Sequence, residues 1–76
     1  MIRIPYVGRK VWAVLDVDGE AVAARCEVMW RTGAGWYVRA LDCAYVYGTI
    51  DKSRMYRTCR QAEKRVRDEM QFRKTL

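Results

Sequence analysis

In the stretch Glu20-Ala-Val-Ala-Ala-Arg-Cys-Glu-Val-Met-Trp-Arg31, the even positions Val22, Ala24, Cys26, Val28 and Trp30 are all apolar. The odd positions Ala21, Ala23, Arg25, Glu27, Met29 and Arg31 are a mixed set with three charges. A strand turns successive side chains to opposite faces, so this is the pattern of a strand with one dry face. Asp18-Gly19 precedes it and Thr32-Gly-Ala-Gly35 follows it. Turn chemistry at both ends makes it the middle strand of an antiparallel meander.

Upstream, Arg9–Val17 is the first strand, with Val11, Ala13, Leu15 and Val17 alternating with Lys10, Trp12, Val14 and Asp16. Asp18-Gly19 suits a two-residue type I′ loop, whose twist matches that of a hairpin. That loop puts Val17 opposite Glu20, Leu15 opposite Val22, Ala13 opposite Ala24 and Val11 opposite Cys26. The two apolar rows then coincide. On the other face Trp12 meets Arg25 and Lys10 meets Glu27, a cation–π pair and an ion pair.

The second loop is expected to hold three residues, Gly33-Ala34-Gly35, with Gly35 left-handed as a bulge residue. It pairs Thr32 with Trp36, Arg31 with Tyr37, Trp30 with Val38, Met29 with Arg39 and Val28 with Ala40. A two-residue loop slips the register by one and sets Arg39 against Val28 on the dry face. Burying an unpaired guanidinium there is costly, so the bulged loop is preferred and Trp30 is placed in the core.

The remainder is read more coarsely. Residues 1–8, with the only proline at Pro5, form an extended arm or short edge strand. Tyr45-Val-Tyr-Gly-Thr-Ile50 is β-prone and is a candidate fourth strand. Asp51-Lys-Ser-Arg54 is a polar break. Thr58-Cys-Arg-Gln61 fits a capping box, after which Cys59, Ala62, Val66 and Met70 share one helical face. Met55 continues that stripe backwards, so a start near Ser53 stands as the alternative to Thr58. Glu63 with Arg67 and Glu69 with Arg73 are supporting i,i+4 pairs.

The fold class is therefore α+β: a single domain over residues 1–76, with a three- or four-stranded antiparallel meander and a C-terminal helix packed on one face. The expected core is Val11, Ala13 and Leu15; Val22, Ala24, Cys26, Val28 and Trp30; Val38 and Ala40; and Cys59, Ala62, Val66 and Met70.

Composition narrows the function. The chain has 76 residues and a net charge of +6. Residues 1–51 balance six bases against six acids, and residues 52–76 carry nine bases against Glu63, Asp68 and Glu69. This asymmetry points to an acidic partner, nucleic acid being the commonest. No apolar run is long enough to span a bilayer and no signal peptide is visible, so a cytoplasmic protein is expected. Three cysteines, an odd number, fit free thiols better than a disulfide framework. There is no histidine, which removes the commonest general base, Ser/His and Cys/His catalysis and most zinc sites. No phosphate-binding glycine loop is present, and no metal site, cofactor or catalytic residue is assigned.

The expected site is a surface. In the register above, the outer sheet face shows Lys10, Trp12, Arg25, Met29, Arg31, Tyr37 and Arg39. Arg can contact phosphates or base edges, and rings stack on exposed bases. The helix adds a basic ridge of Arg60, Lys64 and Arg67, continued by Gln71 and Lys74. The competing reading has Trp12 and Tyr37 covered by the N-terminal arm or by a second copy in a homodimer.

Tyr56-Arg-Thr-Cys-Arg-Gln-Ala-Glu63 resembles the aromatic-x-Thr-x-x-Glu-Ala-Glu segment leading into the helix of the arm-type, AP2-like DNA-binding domain of phage and transposon tyrosine recombinases. Gln61 stands where Glu is usual. The resemblance implies a sheet face that enters the DNA major groove with the helix packed behind, DNA ahead of RNA, and an accessory DNA-binding protein when free-standing. In size and style the chain is also similar to small stand-alone phage or mobile-element proteins, including anti-CRISPR and other counter-defence inhibitors. That likeness implies a second function class: a protein-binding inhibitor that blocks a host nucleic-acid-handling complex.

Overall fold

The computed structural model describes residues 5–75, with the side chains of Lys74 and Thr75 outside the described set. The part of the expected arm at residues 1–4 also lies outside it. The elements are β1 (Lys10–Val17), β2 (Glu20–Thr32), β3 (Gly35–Ala40), β4 (Tyr47–Ile50), a 3-10 turn (Lys52–Arg54), β5 (Met55–Tyr56) and α1 (Cys59–Thr75). The five strands form one antiparallel sheet in the order β4-β3-β2-β1-β5. The candidate fourth strand therefore forms, shorter than the sequence run. A further two-residue strand, β5, pairs Trp12 with Tyr56 and Ala13 with Met55 on the other side of β1.

The first hairpin is as expected. Asp18 and Gly19 have φ of 52° and 83°, the left-handed pair of a type I′ loop. Val17 pairs with Glu20, and the ladder runs through Leu15 with Val22 and Ala13 with Ala24 to Lys10 with Glu27.

The second hairpin differs. Thr32 pairs with Gly35, so Gly33 and Ala34 alone form the loop. Arg31 then meets Trp36 and Trp30 meets Tyr37. Arg39 is kept off the dry face by an irregularity in β2: Met29 has no partner, and the ladder resumes with Val28 opposite Val38 and Glu27 opposite Arg39. The extra residue sits in the strand and not in the loop. It inverts the facing of every β2 residue after it, so Trp30 is turned outward and is 52% exposed. The placement of Trp30 in the core is thus corrected.

The sheet buries its dry face by curling. Ile50 at one edge and Met55 at the other join a single cluster with Val11, Ala13, Leu15, Cys26, Val28, Val38 and Ala40. β4 touches β1 although β3 and β2 lie between them in the sheet. Ala24 packs at the margin of this cluster, and Val22 is half-buried. Among the described residues no helical side chain joins this cluster.

The helix packs on the opposite, convex face, where Ala62 is fully buried with Val14 and Ala21, and Val66, Met70, Trp12, Ala23 and Tyr56 pack around them. The expected stripe is therefore real but faces the other side of the sheet. Small residues in the mixed row of β2, Ala21 and Ala23, leave room for it. Thr58 caps α1: its Oγ1 accepts the Gln61 N–H at 3.2 Å. Residues 52–56 form the 3-10 turn and β5, so the earlier start near Ser53 does not occur. Glu63 makes no ion pair with Arg67; it lies beside the Cys59 thiol, which burial first and Glu63 second push up from its ordinary value.

Charged side chains pin the helix to the sheet. Arg54 Nε donates to the Val14 carbonyl at 2.9 Å and its Nη1 to Glu69 at 3.2 Å. Arg65 donates to the other Glu69 oxygen at 2.9 Å. Arg73 donates to Asp16 and to the Gly19 carbonyl, both at 2.7 Å, and lies 3.8 Å from Glu69. Three of the nine bases in residues 52–76 are therefore engaged inside the fold.

Leu15→Ala should cost about 2–5 kcal/mol as a large-to-small core change. Trp30→Ala should cost only about 0.5–1.5 kcal/mol, the worth of one aromatic pair. Urea unfolding of the two variants measures the contrast, and a Trp30 cost equal to that of Leu15 would contradict the outward placement. Thr58→Ala should cost about 1 kcal/mol by the same measurement. The thiols give a pH-dependent check. Burial pushes Cys26 up from 9.0 to about 11. The unfolded thiol ionises first, so this group's contribution to stability is full below about 9 and is lost as pH rises to about 11. In alkylation at mildly alkaline pH, exposed Cys43 should react at once, and Cys26 only at the rate of unfolding.

Candidate functional site

Helix α1 lies against β1, β2 and β5. It covers the convex face near the first hairpin and leaves the β3–β4 half bare. Side chains on that half stand in rows set by the ladder. One row is Trp30, Tyr37 and Thr49; the next is Lys10, Glu27, Arg39 and Tyr47; the third begins with Trp12 and Arg25.

The rings cluster. Trp30 and Tyr37 have centroids 4.4 Å apart at 63°, and Tyr37 and Tyr47 are 6.0 Å apart at 84°. Trp30 and Tyr47 are each more than half exposed. Leu41 and Tyr45, on the turn between β3 and β4, are also exposed. A shallow groove of about 240 Å³ runs among Glu27, Arg39, Ala40, Leu41 and Ala44.

The cations here are unengaged. Among the described residues the side chains of Lys10, Arg25 and Arg39 make no hydrogen bond, ion pair or ring contact. The expected Lys10–Glu27 ion pair and Trp12–Arg25 cation–π contact are both absent, although each pair is in register.

The expected site is thus partly assembled. Lys10, Arg25, Tyr37 and Arg39 share the bare face. Trp12 is half-buried in the helix cluster beside Tyr56. The bulge turns Arg31 to the concave side, where its guanidinium lies 5.6 Å from the Trp36 ring centre. Arg60, Lys64 and Arg67 are exposed but stand apart on the back of the helix. Lys64 lines one flank with Tyr56, Gln61, Arg65 and Asp68, and Arg67 the other with Ala21, Val22, Ala23 and Val66.

Two site residues escape the sequence reading. Trp30 is missed because the bulge is invisible in an unbroken apolar alternation. Tyr47 is missed because the fourth strand's partner and register are set by the return over residues 41–46, whose turn type is not legible. Among the described residues, no group of three or more His, Cys, Asp or Glu side chains is placed to hold a metal ion. No described helix is long and apolar enough to cross a membrane. Comparison with protein-family models, curated proteins and solved structures finds no match to this chain.

Proposed function

We propose that this protein binds nucleic acid, without chemistry of its own, by laying the bare β3–β4 half of its sheet against unpaired bases. The observation that carries this is the company of Trp30, Tyr37 and Tyr47 with three cations, Lys10, Arg25 and Arg39, whose side chains make no hydrogen bond or ion pair among the described residues. Exposed rings offer stacking surfaces that accept any base, and unengaged Arg and Lys meet the backbone. The rings lie edge-to-face and present their flat sides in different directions, which suits splayed single-stranded bases better than the edges of a duplex. The exposed bases of α1 add a field that draws a polyanion in without taking part in the stacked contact.

A second reading, a protein partner such as a host nucleic-acid-handling complex, is favoured by Leu41 and by Tyr45, which is 89% exposed. Trp, Tyr and Arg are also the residues that dominate protein interfaces. Salt separates the two, because phosphate neutralisation gives a steep loss of affinity and an apolar interface does not.

The test is fluorescence anisotropy of random single-stranded and duplex oligonucleotides at two salt concentrations. Single strands should bind more tightly. Tyr37→Ala should weaken them by about 1–3 kcal/mol, the worth of one stacked base. Arg60→Ala should mainly flatten the salt dependence. Absence of binding to any oligonucleotide at low salt would refute the reading and assign the face to a protein.

A further inference from the structure

On the concave side of the hairpin end, away from Trp30 and Tyr37, lies a second polar site. A groove of about 430 Å³ runs between the 32–35 turn and the corner at Asp51 and Lys52, with Arg31 and Trp36 along it. Stacking on Trp36 steadies the Arg31 guanidinium and uses none of its N–H donors. Among the described residues those donors meet no acceptor. Lys52, on the opposite wall, makes no ion pair either. Asp51 takes the Ser53 N–H at 3.1 Å, and that bond holds its carboxyl below the usual range, so it remains an acceptor.

The floor of the groove is closely packed backbone. At Gly35, whose φ is 147°, a Cβ would lie 2.5 Å from the Ile50 carbonyl oxygen. Two cations with unused donors, one charged acceptor and one ring are the groups that a nucleotide engages: phosphate on the cations, sugar hydroxyl or base N–H on the carboxylate. The groove is also of the size that holds one small ligand.

We propose that this groove binds the phosphate-bearing end of a nucleotide, with Arg31 and Lys52 on the phosphate and Asp51 on the sugar or base. Arg31 with Trp36 and Trp30 with Tyr37 are consecutive pairs across β2 and β3. The groove and the aromatic face therefore stand back to back at one hairpin end. A strand stacked on the aromatic face reaches the groove by rounding the tip at Gly33 and Ala34, which are small and exposed. In this the inference rests on the nucleic-acid reading; a free mononucleotide would fill the groove without it.

The experiment follows the Arg31 Nε–H and Trp36 Nε1–H resonances of the full chain. The probes are adenosine monophosphate and a single-stranded oligonucleotide of about eight nucleotides, with and without a 5′-phosphate. Both resonances should move saturably. Arg31→Ala should weaken the binding that moves Trp36 by about tenfold, the loss of a charge-assisted fork. Lys52→Ala, remote from the hairpin ladder, should weaken it by a smaller factor and serves if the first variant is poorly folded. Response to adenosine monophosphate assigns a free nucleotide; response to the phosphorylated strand alone assigns a strand end. Shifts that neither substitution alters, or no shift at millimolar probe, would overturn the proposal. Tyr37→Ala separates the two readings: strand binding lost with Tyr37→Ala but kept with Arg31→Ala and Lys52→Ala removes the groove and keeps the sheet face. The reverse keeps the groove and removes the sheet face.

Discussion

Met29 is one residue more than the ladder between β2 and β3 can pair, and the shape of the protein follows from how it is absorbed. Val28 faces Val38 and Trp30 faces Tyr37, with Met29 unmatched between them. From the other neighbour, Val28 accepts from the Gly8 N–H at 2.7 Å and donates to the Arg9 carbonyl at 2.8 Å, so the same point is held from both sides. A bulge bends its strand and sharpens the local twist. At 13 residues β2 is long enough to serve both halves of the sheet across such a bend. With β2 bent, the edge strands swing towards each other, and Ile50 and Met55 close one core.

That closure decides where the helix goes. A curled sheet buries its concave face on itself, so the amphipathic helix is left the convex face, and only where the residues are small. Val14, Ala21 and Ala23 admit Ala62, and Trp12 and Tyr56 fill in at the side. The contact is apolar but narrow, and charged groups extend it. Arg54 reaches from the 3-10 turn to the Val14 carbonyl and to Glu69, and Arg73 reaches from the last turn of α1 to Asp16. Arg54 Nη2 is the one buried side-chain nitrogen or oxygen without a partner among the described residues. Arg54 Nε and Nη1 hold the side chain in this internal junction.

A helix that covers half of a face defines the other half by omission. Trp30, Tyr37 and Tyr47 remain outside because α1 packs on β1, β2 and β5 and not on β3 and β4. The same bulge that sends Trp30 outward sends Arg31 inward over Trp36. One irregularity therefore supplies the ring that completes the exposed cluster and the cation that lines the hairpin groove. The proposed binding face and the proposed nucleotide groove share this origin, which is why they lie on opposite sides of a single hairpin.

The first hairpin was fully legible in the sequence, because Asp18-Gly19 permits one loop and the alternation on either side permits one register. The helix and its Thr58 cap were legible for the same reason: capping and periodicity act within a few residues. Lys10, Arg25, Tyr37 and Arg39 were placed on one face by alternation alone. The bulge was not legible, since Met29 fits an alternating strand as well as its neighbours do, and only the competing demand to keep Arg39 off the dry face and pair Val28 with Val38 selects it. Nor could the sequence say which face the helix takes. Two partly apolar rows compete for it, and the choice depends on the sheet first curling over one of them, a long-range closure of β4 on β1 that no local pattern encodes.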